Sequence, residues 1–275
     1  MKLSPEIIAA ENLYRLKLEN FFCTVYRESN LHSHGIEHHQ RVWMYSRELI
    51  SFPETDLLVT DKFFPLKLLI ASFLHDSGMS VDPGPRHGHL SRIFCEQFLI
   101  NNNLPVNDFT DLLEAIENHD NKDYFRERND PELLKILTVA DDLDAFGYTG
   151  IYRYLEIYLK REIPYRELGT LIKANVSGRF GNLEEKFGHF PSLMTRESKR
   201  FEIISEFCSN YNNHLSGYKF GTGKPSGYCG IAEIINIILS KSFTFESVFE
   251  FAEKSVADPV IKSYFRNLER ELTEH

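Results

Sequence analysis

The sequence predicts an all-α protein, and three observations predict it. Apolar residues recur at three- and four-residue steps along most of the chain. Proline and acidic residues sit at the expected helix starts, and glycine at several ends. Alternating strand pairs with hairpin turns, internal repeats and low-complexity tracts are not seen.

The elements follow in order. Residues 4–27 carry Ile7, Ile8, Leu13, Leu16, Leu18, Phe21, Phe22 and Val25 at helical spacing. Residues 36–51 repeat the pattern with Val42, Tyr45, Leu49 and Ile50. Residues 65–75 are an almost continuous apolar run opened by Pro65, with Gly78 as the stop. Two more helices are expected at 89–100 and 109–119, parted by the turn-rich NNNLPVND. Asp130 is the expected N-cap and Pro131 the first residue of a helix running through LLKILTVADDLDAF. Residues 150–163 and 195–214 continue the theme, while 164–194 is ambiguous. The five glycines of 216–230 predict a loop, and helices resume at 230–241, 245–254 and 257–272.

A chain of 275 residues makes one large domain or two small ones. The expected division is a helical domain at 1–160 and a helical extension at 161–275, packing on the same globule as a cap or dimer contact. The net charge of −9 lacks the basic footprint of a general nucleic-acid binder, though a local basic pocket remains compatible with it. No run approaches the ~20 apolar residues that span a bilayer. The N-terminal stretch is broken by Glu6, Glu11 and Arg15 and does not read as a signal peptide. Cys23, Cys95, Cys208 and Cys229 are scattered without a CxxC pair, which argues against a cysteine zinc site and fits a reducing cytoplasm. A homo-oligomer is compatible with the sequence.

Seven of eleven histidines fall between His32 and His89. Histidine with carboxylate is how proteins hold divalent metals. His75-Asp76, at the end of the apolar helix, puts two ligand types at the rim of a buried position; the plain alternative is a helix-end histidine followed by a turn. Asp141, Asp142 and Asp144 lie in an apolar helical stretch, where burial without partners would be costly. They either meet a cation or line a solvated face. His38, near the start of the second helix, is the fourth candidate.

The ordered set H-x-x-R-V (His38, Arg41, Val42), L-H-D (Leu74, His75, Asp76) and A-D-x-L-D-A-x-G (Ala140, Asp141, Leu143, Asp144, Ala145, Gly147) resembles the HD-domain superfamily of metal-dependent phosphohydrolases. The likeness extends into GIYR at 150–153 and spans roughly residues 30–155. It implies an HD helical bundle whose metal ligands are His38, His75, Asp76 and Asp141, with Asp142 the rival for the last position. His34, four residues before His38, would share its helical face, whereas His39 is expected at the surface.

Some members of that superfamily carry extra histidines and a second metal. His87 (with His89 as rival) and His119 are the corresponding candidates; the alternatives are a polar loop and a helix C-terminal cation. One or two divalent ions are therefore expected, from among Mn, Mg, Fe, Co, Ni and Zn. The resemblance implies hydrolysis of a phosphate ester, of a nucleotide or related small molecule, by metal-activated water. Asp76 would be both ligand and acid/base, and Asp144 the acid that orients a ligand histidine. Arg41, Arg86, Lys122 and Arg153, next to motif residues, are the expected contacts to phosphate oxygens. Two other readings stay open: a two-iron oxygenase of the same superfamily, and a ligand-sensing module without turnover.

Overall fold

A computed structural model describes residues 4–29, 31–52, 61–121, 130–241, 243 and 245–274. Among the described residues there are twelve α-helices and no strand. They are α1 (Pro5–Val25), α2 (Ile36–Ile50), α3 (Phe64–Leu74), α4 (His87–Asn101), α5 (Thr110–Asn118), α6 (Glu132–Leu143), α7 (Gly147–Lys160), α8 (Tyr165–Phe187), α9 (Pro191–Leu215), α10 (Gly227–Ser240), α11 (Phe245–Ser255) and α12 (Pro259–Thr273). Short 3-10 turns occupy His32–His34, Ser77–Ser80 and Val106–Phe109. Among the described residues no helix is long and apolar enough to cross a membrane.

The chain divides into two compact units, one of residues 1–29 with 34–144, the other of 30–33 with 145–275. The division falls after Asp144 and not after residue 160, because α7 packs on α9, α10 and α12.

In the first unit α3 is the central rod. Helices α1, α2, α4, α5 and α6 all pack on it, and every one of its residues but the half-buried Leu66 is buried. That is why its sequence is apolar on all sides instead of striped. Its one charge, Lys67, lays its stem in the core and its ammonium between Asp61 (2.7 Å) and Asp111 (3.0 Å). Helix α2 is tied to α1 by Trp43, whose indole N–H donates to Glu11 at 2.7 Å.

Several boundaries differ from expectation. Pro131, not Asp130, is the N-cap of α6: it holds an extended ψ of 144°, and its carbonyl accepts the first helical bond from Lys135 N–H. The helix stops at Leu143, so Asp144 becomes its C-cap. The ambiguous stretch 164–194 holds a long helix, α8, whose Leu168, Ile172, Val176, Leu183 and Phe187 form the buried stripe.

The second unit is built on α7, α9 and α12. Helix α7 starts at Gly147 with φ +68°. The Glu271 carboxylate accepts the N–H groups of Tyr148 (2.9 Å) and Thr149 (3.3 Å) there, a negative charge on a positive helix end. A Cβ on Gly147 would lie 2.5 Å from that carboxylate, so both the backbone angle and the contact call for glycine.

Candidate metal centre

The ends of five helices meet in the first unit. His38 comes from the first turns of α2, His75 and Asp76 from the end of α3, His87 from the first residue of α4, His119 from the end of α5, and Asp141 from the last turn of α6. All six are buried. Three groups of ligand atoms lie within metal-binding reach of one another: His38, His39 and His75; His38, His75, Asp76 and Asp141; and Asp76, His87 and His119, the last two sharing Asp76.

Local sequence fixes each imidazole. The Nδ1 of His75 faces the carbonyl of Ser72 at 3.1 Å, that of His119 the carbonyl of Ile116 at 2.7 Å, and that of His87 the carbonyl of Gly84 at 2.7 Å. In each case the acceptor is three residues back. For His75 and His119 it is one of the carbonyls that a helix end leaves without a partner. A carbonyl only accepts, so Nδ1 carries the proton and the Nε2 lone pair is left for the centre. His38 reaches the same tautomer by another route, its Nδ1–H donating to Asp144 Oδ2 at 2.7 Å. The helix-end reading and the ligand reading of these histidines are thus one device: the cap sets the tautomer.

Asp76 sits between the last two groups and gives each one oxygen. Its Oδ1 is 2.9 Å from His119 Nε2 and 3.5 Å from His87 Nε2. Its Oδ2 is 3.5 Å from His75 Nε2 and 3.6 Å from His38 Nε2. Burial alone would push its carboxyl up, but the surrounding imidazoles of His75, His119 and His38 hold it well below the usual carboxylate range. Burial lowers His75, leaving it neutral. In His119 burial is outweighed by the hydrogen bond and charge of Asp76, and the pKa is raised.

These features fit a cation. The Nε2 atoms of His38 and His75 face each other at 3.3 Å, with Asp141 Oδ1 at 3.7 and 3.9 Å. Facing lone pairs beside carboxylate oxygens are relieved by a positive ion or proton placed among them. A neutral His75 and an ionised Asp76 are in the donor states divalent metals require, whereas His119, whose raised pKa favours a proton, would release it on binding.

The other expected residues separate clearly. Asp144 is fully buried behind His38 and also accepts from Arg41 Nε (2.6 Å) and Nη2 (3.0 Å). It is therefore placed to orient His38, and Arg41 is turned onto Asp144. Asp141 belongs to the ligand group; Asp142 is buried but outside it. A solvated face for 141–144 is excluded. His89 is exposed and paired with Glu117 at 2.9 Å, which leaves His87 as the inward residue. Arg86 is exposed and bonded to Asp82. Arg153 is a buried residue of the second unit, beside Glu156. Lys122 lies outside the described residues. His34 precedes α2, in the 3-10 turn, so the shared helical face does not apply; its Nε2 nonetheless lies 3.9 Å from Asp76.

His39 is the clear correction. It is not at the surface but fully buried, its ring 4.2 Å from that of Phe22. Its Nδ1 shares the Ser72 carbonyl with His75, and burial drives its pKa well down. Sequence reasoning also passed over Ser72, whose carbonyl anchors both rings. The signal for it was the spacing: a histidine three residues past a helix-end carbonyl.

The family model of the HD domain matches residues 35–145. No curated protein and no solved structure matches the chain.

Proposed function

Residues 35–145 belong to the HD-domain superfamily, and on that premise we propose that the chain is a metal-dependent phosphohydrolase acting on a small phosphate ester. The observation that supports it best is the double use of Asp76. One oxygen faces each of two His-rich groups, so Asp76 would serve as a ligand in both if each held a cation. His38, His75 and Asp141 would complete one position, His87 and His119 the other. When bound, two divalent ions supply charge neutralisation for the phosphoryl oxygens and acidify water toward a pKa of ~7.

The chain's own groups do the rest. The anchored Nδ1–H bonds hold four imidazoles in one tautomer, so no rotation is needed before reaction. Asp144, charged and paired with Arg41, strengthens His38 as a donor. Asp76, kept ionised, accepts a proton from an adjacent water only at a cost, so its first duty is as ligand. Arg86, exposed next to His87, is the proposed contact to a phosphate oxygen.

The test is phosphate or nitrophenol release from p-nitrophenyl phosphate, its bis ester and a panel of nucleotides. Each would be assayed with Mn, Mg, Fe, Co, Ni and Zn. Metal-dependent release that Asp76→Ala abolishes is the expected result. Turnover that instead requires iron and consumes oxygen would replace hydrolysis with oxygenase chemistry. Stoichiometric metal without turnover of any ester would leave a sensing module.

A further inference from the structure

The second unit contains a cleft of about 380 Å3, lined only by residues of α7, α9, α10 and α12. Four aromatic rings line it: Tyr148, Phe207, Tyr228 and Tyr264. They form a connected set, with Phe207 6.0 Å from Tyr228 and 6.4 Å from Tyr264, and Tyr264 6.1 Å from Tyr148. Ile151 and Ile231, both about fully buried, supply the apolar remainder of the floor.

The volume falls in the range of small-molecule sites, ~300–1,000 Å3. Its charge decides what chemistry it takes. No lysine, arginine or histidine lines it, so it offers a phosphate no positive charge. Glu206 is its one charged lining residue, and it has no ion-pair partner among the described residues. Its field is felt on the cleft wall: after burial, the carboxylates of Glu271 and Glu206 raise the Tyr148 hydroxyl. Glu271 is already committed to the α7 backbone and Arg200, whereas Glu206 is free to meet a ligand. Aromatic faces and a carboxylate attract the same sign of charge.

We propose that this cleft is a binding site for a small organic ammonium ion carried on an apolar stem, distinct from the metal centre in its residues and in its chemistry. The stem lies on Ile151, Ile231 and the rings; the cationic head meets Glu206 at the exposed rim. The remaining polar residues of the lining are Tyr148, Tyr228, Tyr264, Ser263 and Asn267, all uncharged.

The experiment titrates the full chain by calorimetry with three probes of one scaffold: benzyltrimethylammonium, benzyl alcohol and phenylacetate. Saturable binding of the cation, roughly tenfold tighter than benzyl alcohol, with no binding of the anion, is the expected result. Glu206→Gln, an exposed substitution, should bring the cation down to the level of the alcohol. Tyr228→Leu should weaken the cation more than the alcohol, and an unchanged far-UV spectrum would show that each variant is folded. Equal affinity for all three probes, no saturation at roughly millimolar concentration, or a cation affinity indifferent to Glu206→Gln would each overturn the proposal. None of these results depends on metal at the HD domain.

Discussion

Asp144 shows how much of this centre depends on residues that touch no substrate. Its carboxylate binds His38 on one side and Arg41 on the other, wholly out of water. The pair Arg41–Asp144 fixes which nitrogen of His38 faces His75 and Asp76. Asp144→Asn keeps an acceptor for the Nδ1–H but removes the charge. It should lower metal affinity about ten- to a hundredfold while leaving far-UV circular dichroism unchanged. Arg41→Ala should weaken binding in the same direction, and Arg41→Lys should recover only part, since one ammonium cannot reproduce the two-nitrogen contact. Metal titrations at fixed pH check both. Affinity equal to that of the unaltered chain in Asp144→Asn would remove it from the metal's support.

At the scale of elements, the centre is a place where helices end. Helix α3 carries its ligands immediately past its last turn, and the 3-10 turn Ser77–Ser80 then leads the chain away. Gly78 in that turn touches the start of α4: a Cβ there would lie 2.2 Å from the His87 carbonyl and 2.8 Å from the Ser91 nitrogen. Both neighbours are backbone and cannot yield cheaply. Gly78→Ala should therefore cost about 1–3 kcal/mol of stability and displace His87 from the Asp76 side of the centre. Thermal denaturation and metal counting on the same sample test the two halves of that statement. A fully stable variant with an unaltered metal count would show that α4 can shift without consequence. The same close contact explains why His87 and not His89 faces inward: Gly84 holds the His87 ring, and His89 is carried around the helix to Glu117.

Across the whole molecule, most of the buried His/Asp cluster was legible because charge and histidine interrupt apolar helices only at a cost. His75-Asp76 after PLKLLIASFL and Asp141 within LLKILTVADDLDAF stood out for that reason. His39 was not legible, because its burial depends on Phe22 of α1 being laid over it, a contact distant in sequence. The helix α8 was missed because Gly169, Gly181 and many charged residues blur a stripe spaced at four and seven residues. The end of the first unit was misplaced because family likeness runs into GIYR, whereas α7 packs with later helices. Nothing in the sequence marked Glu156, a fully buried acid of the second unit. It accepts from His32 N–H (3.0 Å), from Ser33 N–H (2.9 Å) and from the Ser33 hydroxyl. Burial pushes its pKa up to about 7, against the Ser33 and His32 hydrogen bonds that pull it down. An acid whose folded pKa is raised stabilises the fold fully below its unfolded value near 4.5 and loses that contribution as pH climbs to about 7. Stability should thus decline between those two values, and Glu156→Gln should flatten the decline. Denaturant midpoints at a series of pH values measure it; identical slopes in the two proteins would contradict the assignment.

The central claim is that the buried His/Asp cluster is a two-cation centre bridged by Asp76. Its most direct test is the number of divalent ions bound per chain, by elemental analysis of protein prepared without chelator or oxygen. The arrangement predicts about two for the unaltered chain, about one for His119→Ala and none for Asp76→Ala. A folded, unaltered chain that binds no divalent ion after reconstitution would contradict the claim outright.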